Sequence, residues 1–426
     1  MQPPPSPWRA LALLGAPSAR DGARLVVYAA LPTVGLVGGP SYADIVFAAG
    51  AFCLFHQFAF AAAAPRADPR WLALAIAFAV LGAASALWSL APWTSLDAAL
   101  EIVAIFAGSL AFLALQAAPA PAVRDPRLLF SVLFWAILAG ALVFGADRET
   151  GYHLQAALTH RALIDAPTKY NRGIDYLVIL CWPALGFFRC RRRWARAALL
   201  ALIVGLVAAF GASLAGKTAA LAGLVVFGAT LLLPRLIGPT MQACIAVAAL
   251  TWPFVLRALA IERAAVTGLL KPSAMHRLEI WDYMSGAVLR RPLLGWGLGS
   301  AHLVPVPAAD LARFHYVHGP GMYPHDQWLQ LWVETGFVGA AIGVVFALLL
   351  VRAVWLLAPP LRPFAYAAIT AGLAVSAVNF EITTDSWWAA IAATGFLFLV
   401  LRRSPEAGAI QESASAQARA VVNPHN

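Results

Sequence analysis

Stretches of about 20 apolar residues recur along this chain, and they constrain its fold more than any other feature. About 20 helical residues cross a bilayer hydrocarbon core of roughly 30 Å. Lipid offers no partner for backbone polar groups, so each stretch is predicted to be a transmembrane α-helix rather than a strand. Twelve segments fit this expectation: 24–40, 44–64, 71–92, 96–118, 127–146, 173–189, 195–213, 217–234, 239–258, 327–350, 362–381 and 385–401.

The composition agrees with an all-α polytopic membrane protein. Hydrophobic residues make up 61% of the chain and charged residues 12%, against about 25% charged residues in soluble domains. The net charge of +10 would suggest nucleic acid as a partner of a soluble protein. Here most of that charge is assigned to loop arginines that orient the helices. We therefore expect no nucleic-acid binding. The four cysteines show no metal or disulfide spacing.

Arginines cluster at alternate junctions between the predicted helices, which orients the chain in the membrane. By the positive-inside rule these junctions are cytoplasmic, and so are both chain termini. The arginines are Arg66, Arg70, Arg124, Arg127, Arg189, Arg191, Arg192, Arg193, Arg196, Arg235, Arg352, Arg362, Arg402 and Arg403. The predicted organisation is a cytoplasmic N-terminus (1–23), nine helices (24–258), a large extracytoplasmic loop (259–326), three helices (327–401) and a disordered cytoplasmic tail (402–426).

The extracytoplasmic loop is the one long polar segment of the chain. It holds five of the nine histidines and six basic side chains. Cations are disfavoured in short translocated loops, so a shared anionic ligand is one explanation for them. The other is that long translocated segments obey the rule weakly. Within the loop, PSAMHRLEIWDYMSGAVLRRP predicts an amphipathic helix closed by Pro292, with Arg277 and Trp281 on one face.

The glycine-rich sequence that follows, LLGWGLGS, is predicted to be a tight turn at the membrane surface, with Trp296 as its anchor. It lacks the spacing and the strand–helix context of a phosphate-binding loop, which excludes a nucleotide site.

Three motifs of the loop stand in order: HRLEIWDYM, RRPLLGWGLGS and YPHDQWLQLWVETGFVGA. Together with KYNRGIDYLVILCWPAL at residues 169–185, they resemble the bacterial O-antigen ligase and polymerase superfamily. That family shows an R-x-x-x-W helix, an RPLxGxG turn and a PH(N/D)xxLQxxxExG entry into the next membrane helix. The NRG-start helix is similar to that of the ligase branch. The resemblance covers roughly residues 169–340, and the N-terminal helices match by hydropathy alone.

The resemblance implies a metal-independent, inverting glycosyltransferase of the GT-C general type without a cofactor. Its donor would be an undecaprenyl-pyrophosphate-linked O-antigen, and its acceptor the lipid A–core oligosaccharide. The enzyme would lie among the lipids of the bacterial inner membrane, with its active site at the periplasmic face.

Two chemical needs of this reaction select the candidate residues. Negative charge builds on the departing pyrophosphate, and Arg277 is the first candidate to bind it. The acceptor hydroxyl must lose a proton, for which the imidazole of His325 is the expected base. Arg172 and Lys217 are further pyrophosphate candidates. Many family members carry an arginine in an SRG sequence where this chain has SLAGK, so either residue could replace it.

Five further residues are supporting candidates. Arg290 and Arg291 lie at a helix C-terminus, where the helix dipole favours cations in any case. Asp326 is placed to cap the helix that enters the membrane. Gln330 and Glu334 lie on that helix, and Glu334 could orient an arginine. No two histidines stand at i, i+4 on a helix with a carboxylate, so no metal site is expected.

Two alternatives remain beside the ligase. A polymerase or a protein O-oligosaccharyltransferase would use the same donor with another acceptor. A transporter of the lipid-linked glycan belongs to a different class. Transporters tend to show internal repeats and charged, broken helices near the bilayer midplane, whereas this chain concentrates its polar residues in one external loop. The ligase is therefore favoured.

Overall fold

The computed structural model describes residues 17–38, 41–60, 68–114, 125–160, 162–261 and 272–403, in which all regular structure is helical. The α-helices of these ranges are α1 (Pro17–Gly38), α2 (Ser41–Phe60), α3 (Pro69–Ser85), α4 (Pro92–Ala114), α5 (Pro126–Glu149), α6 (His153–Thr159), α7 (Ala166–Lys169), α8 (Asn171–Cys190), α9 (Trp194–Phe210), α10 (Leu214–Leu232), α11 (Ile237–Ile261), α12 (Pro272–Arg290), α13 (Ala308–Leu311), α14 (Gln327–Ala353), α15 (Arg362–Ser376) and α16 (Asp385–Arg403).

Each of the twelve predicted membrane segments overlaps one helix among α1 to α5, α8 to α11 and α14 to α16. The predicted segment 362–381 extends beyond α15, which ends at Ser376, and residues 61–64 and 115–118 lie outside the described ranges. Within the described ranges, six helical segments are long and apolar enough to cross a membrane: Pro92–Leu113, Pro126–Glu149, Ala166–Cys190, Leu214–Leu232, Ile237–Leu259 and Gln327–Leu356. Three shorter apolar helices accompany them. The chain is therefore a multi-pass helical membrane protein, and the count of twelve spans stays a prediction.

The ends of the chain are only partly described. Helix α1 begins at Pro17, so residues 17–23 of the predicted cytoplasmic N-terminus are helical, and their cytoplasmic placement stays a prediction. Helix α16 continues to Arg403. The predictions for residues 1–16 and for the tail 404–426 lie outside the described residues, as do Arg161, Arg263 and Lys271.

Several helices begin where a capping side chain meets proline. The carboxylate of Asp68 accepts a hydrogen bond from the Arg70 N–H at the start of α3, and Asp125 does the same for α5. Each is followed by proline, whose missing N–H costs nothing in the first helical turn. The sequence thus sets these entry points locally.

Helix α8 lies at the centre of the molecule, with α1, α9, α15 and α16 packed around it. Its aromatic side chains join a large core in which Tyr176, Phe380 and Trp387 stack on one another. Gly173, the glycine of the NRG sequence, lets α1 approach closely. A Cβ atom at this position would overlap the carbonyl oxygen of Gly35 and the Cα of Leu36. The first turn of α8 is thereby held within the core.

Arginines assigned to one membrane face do meet in space. Arg70 and Arg352 line the same cavity of about 500 Å³ with Trp71 and Trp355, although they lie far apart in sequence. The assignment of all these arginines to the cytoplasmic side stays a prediction.

A kink in α14 binds the glycine-rich turn. Gly336 has φ 62° inside the helix, so the N–H groups of Phe337 and Val338 turn away and donate to the carbonyls of Pro292 (2.8 Å) and Leu293 (3.3 Å). The freed carbonyls of Val333 and Glu334 accept from the N–H groups of residues 296 (2.8 Å) and 297 (2.9 Å). Backbone groups that the kink releases are thus paired again with the turn.

Candidate active site

The candidate site lies where four segments meet: the first half of α12, the irregular approach to α14 at residues 323–326, the first turns of α8, and the connection 377–384. Two hydrogen bonds join α12 to the approach at residues 323–326 and to the connection 377–384. The Nη1 of Arg277 donates to the carbonyl of Val378 at 2.7 Å. The Nε1 of Trp281 donates to the carbonyl of Pro324 at 2.8 Å. The Arg277–Trp281 face predicted for α12 therefore anchors the segment that carries His325.

His325 stands at the bend before α14 with φ 50°, in the left-handed region. Its side chain is partly buried. Burial is the main reason why its pKa is lowered below the usual value, and the positive charge of Arg277 lowers the pKa further, followed by His276 and Arg172. The imidazole is therefore neutral at neutral pH and free to accept a proton.

Asp326 caps α14 as predicted, and it is fully buried. Its Oδ1 accepts from the Leu329 N–H at 2.9 Å, and its Oδ2 accepts from the Nε1 of Trp252 at 2.7 Å. Burial raises the pKa of this carboxyl to about 7, although the hydrogen bonds act in the opposite direction. Asp326, which directly follows His325 in the chain, is thus held in place by hydrogen bonds to both α14 and α11.

Arg277 is half-buried and faces a second buried carboxylate. Burial lowers its pKa, and the charge of Asp175 raises it. Asp175, on α8, is itself fully buried. The guanidinium thus keeps its charge beside a carboxylate while part of it stays accessible.

The two second-rank cations occupy different settings. Arg172 is exposed at the first turn of α8, close enough to act electrostatically on both His325 and Glu381. Lys217 is exposed on the first turn of α10, and its backbone N–H donates to the carbonyl of the cap residue Ser213. The charge of Arg172 thus acts on His325, whereas for Lys217 the structure shows that its helix is capped by Ser213.

Among the described residues, no hydrogen bond or ion pair joins Glu334 to an arginine, and the suggestion that it orients one stays a prediction. Its carboxylate is fully buried and accepts hydrogen bonds from the amide of Gln330 (3.1 Å) and the backbone N–H of Ala301 (3.3 Å). Gln330 in turn accepts from the N–H of Ile382 at 2.9 Å. The pair therefore fastens α14 to the glycine-rich turn and to the connection that holds Arg277.

Trp296 is not a membrane-surface anchor, contrary to the expectation. It is only 8% exposed, and its ring lies under the guanidinium groups of Arg290 and Arg291, at 5.4 Å and 4.3 Å from the ring centroid. Arg290 also donates to the carbonyl of Pro305 and Arg291 to that of Trp88. Both arginines thus act in packing the turn.

Three acidic residues lie near the site, and one of them, Glu381, is close enough to Arg172 to feel its charge. Glu381 is partly buried, and burial raises the pKa of its carboxyl while Arg172 lowers it. Glu101 and Asp385 lie near enough to influence each other's charge. Within the part of the chain that the structure describes, no three His, Cys, Asp or Glu side chains converge as a metal site.

Glu279 orders the rest of the loop. This buried carboxylate of α12 accepts three backbone hydrogen bonds, from the N–H groups of His315 (2.9 Å), Tyr316 (2.8 Å) and Val317 (3.1 Å). The side chains of His315 and His318 remain exposed. The chain between α13 and His325 is thereby attached to the helix of Arg277.

Replacing Glu279 by glutamine should loosen this loop. The glutamine NH2 group would meet backbone N–H donors, and a buried donor without its acceptor costs about 1–3 kcal/mol. We expect faster proteolysis within residues 310–320 in detergent. Glu149→Gln, at an exposed ion pair with Arg148, is the matched control. Equal cleavage rates in the two variants would contradict the assignment.

The sequence alone did not single out Asp175, Ser213, Asn379 and Glu279. A usable signal existed for the first of them, since a carboxylate inside an apolar membrane segment is functional or paired by default. The others are ordinary polar residues whose role depends on contacts with distant segments.

Comparison with known proteins agrees with the resemblance. Residues 170–344 match the family model described as O-antigen ligase. A Rickettsia felis protein named "Putative polysaccharide ligase" is 26% identical over 179 residues, covering 40% of this chain and 42% of that protein. The Rickettsia conorii and Rickettsia prowazekii proteins of that name are 24% and 25% identical, each over 50% of this chain. The chain thus spans about half the length of the curated relatives it matches.

The matched region contains Arg172, Arg277 and His325, and it ends within α14, after the kink that holds the glycine-rich turn. The family match and the site therefore fall on the same part of the chain, which is similar to the O-antigen ligase family over residues 170–344.

Proposed function

We propose that this protein is an inverting glycosyltransferase that moves a glycan from a polyprenyl pyrophosphate to a saccharide acceptor. The donor is an undecaprenyl-pyrophosphate-linked O-antigen, and the acceptor is the lipid A–core oligosaccharide. One observation carries the proposal: the face of α12 that bears Arg277 also holds the segment of His325, through the hydrogen bond from Trp281 to the Pro324 carbonyl. Burial and the charges of Arg277 and Arg172 lower the pKa of His325. A proton acceptor next to an anion-binding group is what this transfer requires.

The transfer would follow in one displacement. The acceptor hydroxyl oxygen attacks the anomeric carbon, and the bond from that carbon to the phosphate oxygen breaks. The hydroxyl proton passes to the free ring nitrogen of His325. The electron pair of the broken bond leaves with undecaprenyl pyrophosphate, whose added charge Arg277 and Arg172 stabilise. Attack opposite to the leaving group inverts the anomeric configuration. No step needs a metal ion.

The proposed setting is the bacterial inner membrane. Twelve spans, with both termini in the cytoplasm, would place α12, α13 and the approach to α14 at the periplasmic face, in a GT-C-like arrangement. The meeting of Arg70 with Arg352 at one cavity supports such a grouping of arginines on one side. Labelling of single cysteines at positions 70 and 318 from either side of the membrane tests the orientation.

The direct test is transfer by the purified protein in proteoliposomes. An undecaprenyl-pyrophosphate glycan is supplied with lipid A–core, with a second lipid-linked glycan, or with a serine-containing peptide. Product with lipid A–core supports the ligase. Product with only one of the other acceptors would identify a polymerase or a protein glycosyltransferase, and glycan movement across the bilayer without transfer would identify a transporter. Full activity is expected in EDTA.

The electrostatics of His325 predict a pH profile. Transfer needs the neutral imidazole, so the rate rises with pH through the His325 pKa, which lies below its usual value near 6.5. Arg172→Gln removes one of the cations that lower this pKa. The acid limb of kcat should therefore move to higher pH in the variant. Lys169→Gln, an exposed cation of α7, is the control, and an unchanged acid limb in Arg172→Gln would contradict the assignment.

A further inference from the structure

A buried carboxylate connects the cations of the site. Asp175 lies three residues after Arg172, so both are on one face of α8. Its side chain is fully buried, and both of its oxygens are hydrogen-bonded. Ser213 donates to Oδ1 at 2.7 Å, and the amide of Asn379 donates to Oδ2 at 2.5 Å. A buried charge is retained in a fold only with such compensation.

The two donors belong to the segments that carry the other cations. Ser213 is the N-cap of α10, where its hydroxyl oxygen accepts from the N–H of Gly216 at 2.9 Å. The next residue is Lys217. Asn379 follows Val378, the residue whose carbonyl binds the guanidinium of Arg277 at 2.7 Å. Asp175 therefore binds the cap of the helix that carries Lys217. It also binds the residue next to Val378, whose carbonyl accepts from Arg277.

The charge of Asp175 has a second effect. It attracts the partly buried guanidinium of Arg277, which lies close enough for the two charges to act on each other. Arg277 and Arg172 both act electrostatically on His325, so two like charges gather around one residue. A carboxylate behind the cations thus allows them to gather while their front stays open to an anion.

We infer that Asp175 is a positioning residue that sets the arrangement of Arg172, Lys217 and Arg277 for a ligand with two linked phosphates. This inference rests on the proposed function for the identity of the ligand. It assigns to Asp175 no contact with the substrate. The spacing of the three cations, rather than their number, is what the carboxylate controls.

The test measures ligand binding apart from transfer. The thermal stabilisation of the detergent-purified protein is recorded with undecaprenyl pyrophosphate and with undecaprenyl monophosphate. Asp175→Asn keeps the shape of the side chain and removes its charge. We expect its affinity for the pyrophosphate to fall about tenfold, equivalent to about 1.4 kcal/mol, with a smaller change for the monophosphate. The KM for the donor should rise more than kcat falls.

A charge exchange makes the test independent of folding. The double variant Asp175→Asn/Asn379→Asp exchanges the amide and the carboxylate between these two positions. It should recover most of the pyrophosphate affinity. Asn379→Ala, which keeps the carboxylate and removes one donor, should give an intermediate loss. Asp282→Asn removes another buried carboxylate of the site region. It should lower the melting temperature without changing the preference for pyrophosphate.

Three results would overturn the inference: no stabilisation of the wild type by the pyrophosphate, unchanged affinity in Asp175→Asn, or equal loss for both lipids without recovery in the double variant. Failure of the proposed function gives a different pattern. In that case the pyrophosphate still binds in a manner dependent on Asp175, but no glycan reaches any acceptor.

Discussion

Replacing His325 by alanine is expected to reduce glycan transfer about 10²–10⁴-fold, the range in which a general base contributes to catalysis. The variant should insert in the membrane and bind the donor with little change, because Arg277 and Arg172 remain. In the wild type, the charges of Arg277 and Arg172 both act on the His325 imidazole and lower its pKa. The measurement is the single-turnover rate in proteoliposomes at saturating donor.

The matched control is His153→Ala. His153 is an exposed histidine at the start of α6, so its loss should leave the rate unchanged. Normal transfer by His325→Ala would remove the base assignment. A loss of donor binding as large as the loss in rate would assign His325 to the binding of pyrophosphate instead.

The positions of the helices could be predicted from the sequence because the bilayer imposes a length and a polarity on each one. Each of the twelve apolar segments overlaps a helix, and Asp326 caps α14 as its type and position indicate. These features depend on residues that are neighbours in sequence. The NRG glycine was recognised as part of a motif, but the contact with Gly35 that requires it joins two distant helices.

The surroundings of the site could not be predicted because they depend on contacts between distant segments. Trp296 beside glycines indicates a surface turn, yet Arg290 and Arg291 cover its ring and α14 receives its backbone. The sequence suggests Glu334 as a partner for an arginine. In the structure, the kink at Gly336 holds the glycine-rich turn against α14, and the N–H of Ala301 donates to the Glu334 carboxylate.

The same argument applies to the candidate catalytic groups. The sequence identified Arg277 and His325 from their motifs, and the structure adds that Trp281 and Val378 hold their segments together. The roles of His325, Arg277, Arg172 and Lys217 in transfer stay predictions, since contacts alone do not measure a rate. The geometry does separate these residues from Arg290 and Arg291, whose guanidinium groups are engaged with Trp296 and backbone carbonyls.

Replacing Arg277 should have the second large effect. Arg277→Ala removes a preorganised cation from the leaving pyrophosphate, which we expect to lower kcat about 10²–10³-fold. Arg277→Lys keeps the charge but cannot donate to the Val378 carbonyl and a phosphate with the same fixed fork. It should therefore recover only part of the rate. Because Arg277 also lowers the pKa of His325, the acid limb of the alanine variant should move to higher pH.

This combination separates a catalytic cation from a merely structural one. An arginine that only packed α12 against residue 378 would lower the melting temperature without shifting the acid limb, and lysine would not restore activity selectively. Arg148→Gln serves as control, because Arg148 is an exposed arginine paired with Glu149 and should change neither quantity. Wild-type kcat in Arg277→Ala would show that the guanidinium does not act on the pyrophosphate. An acid limb at the wild-type position in that variant would show that it does not act on His325.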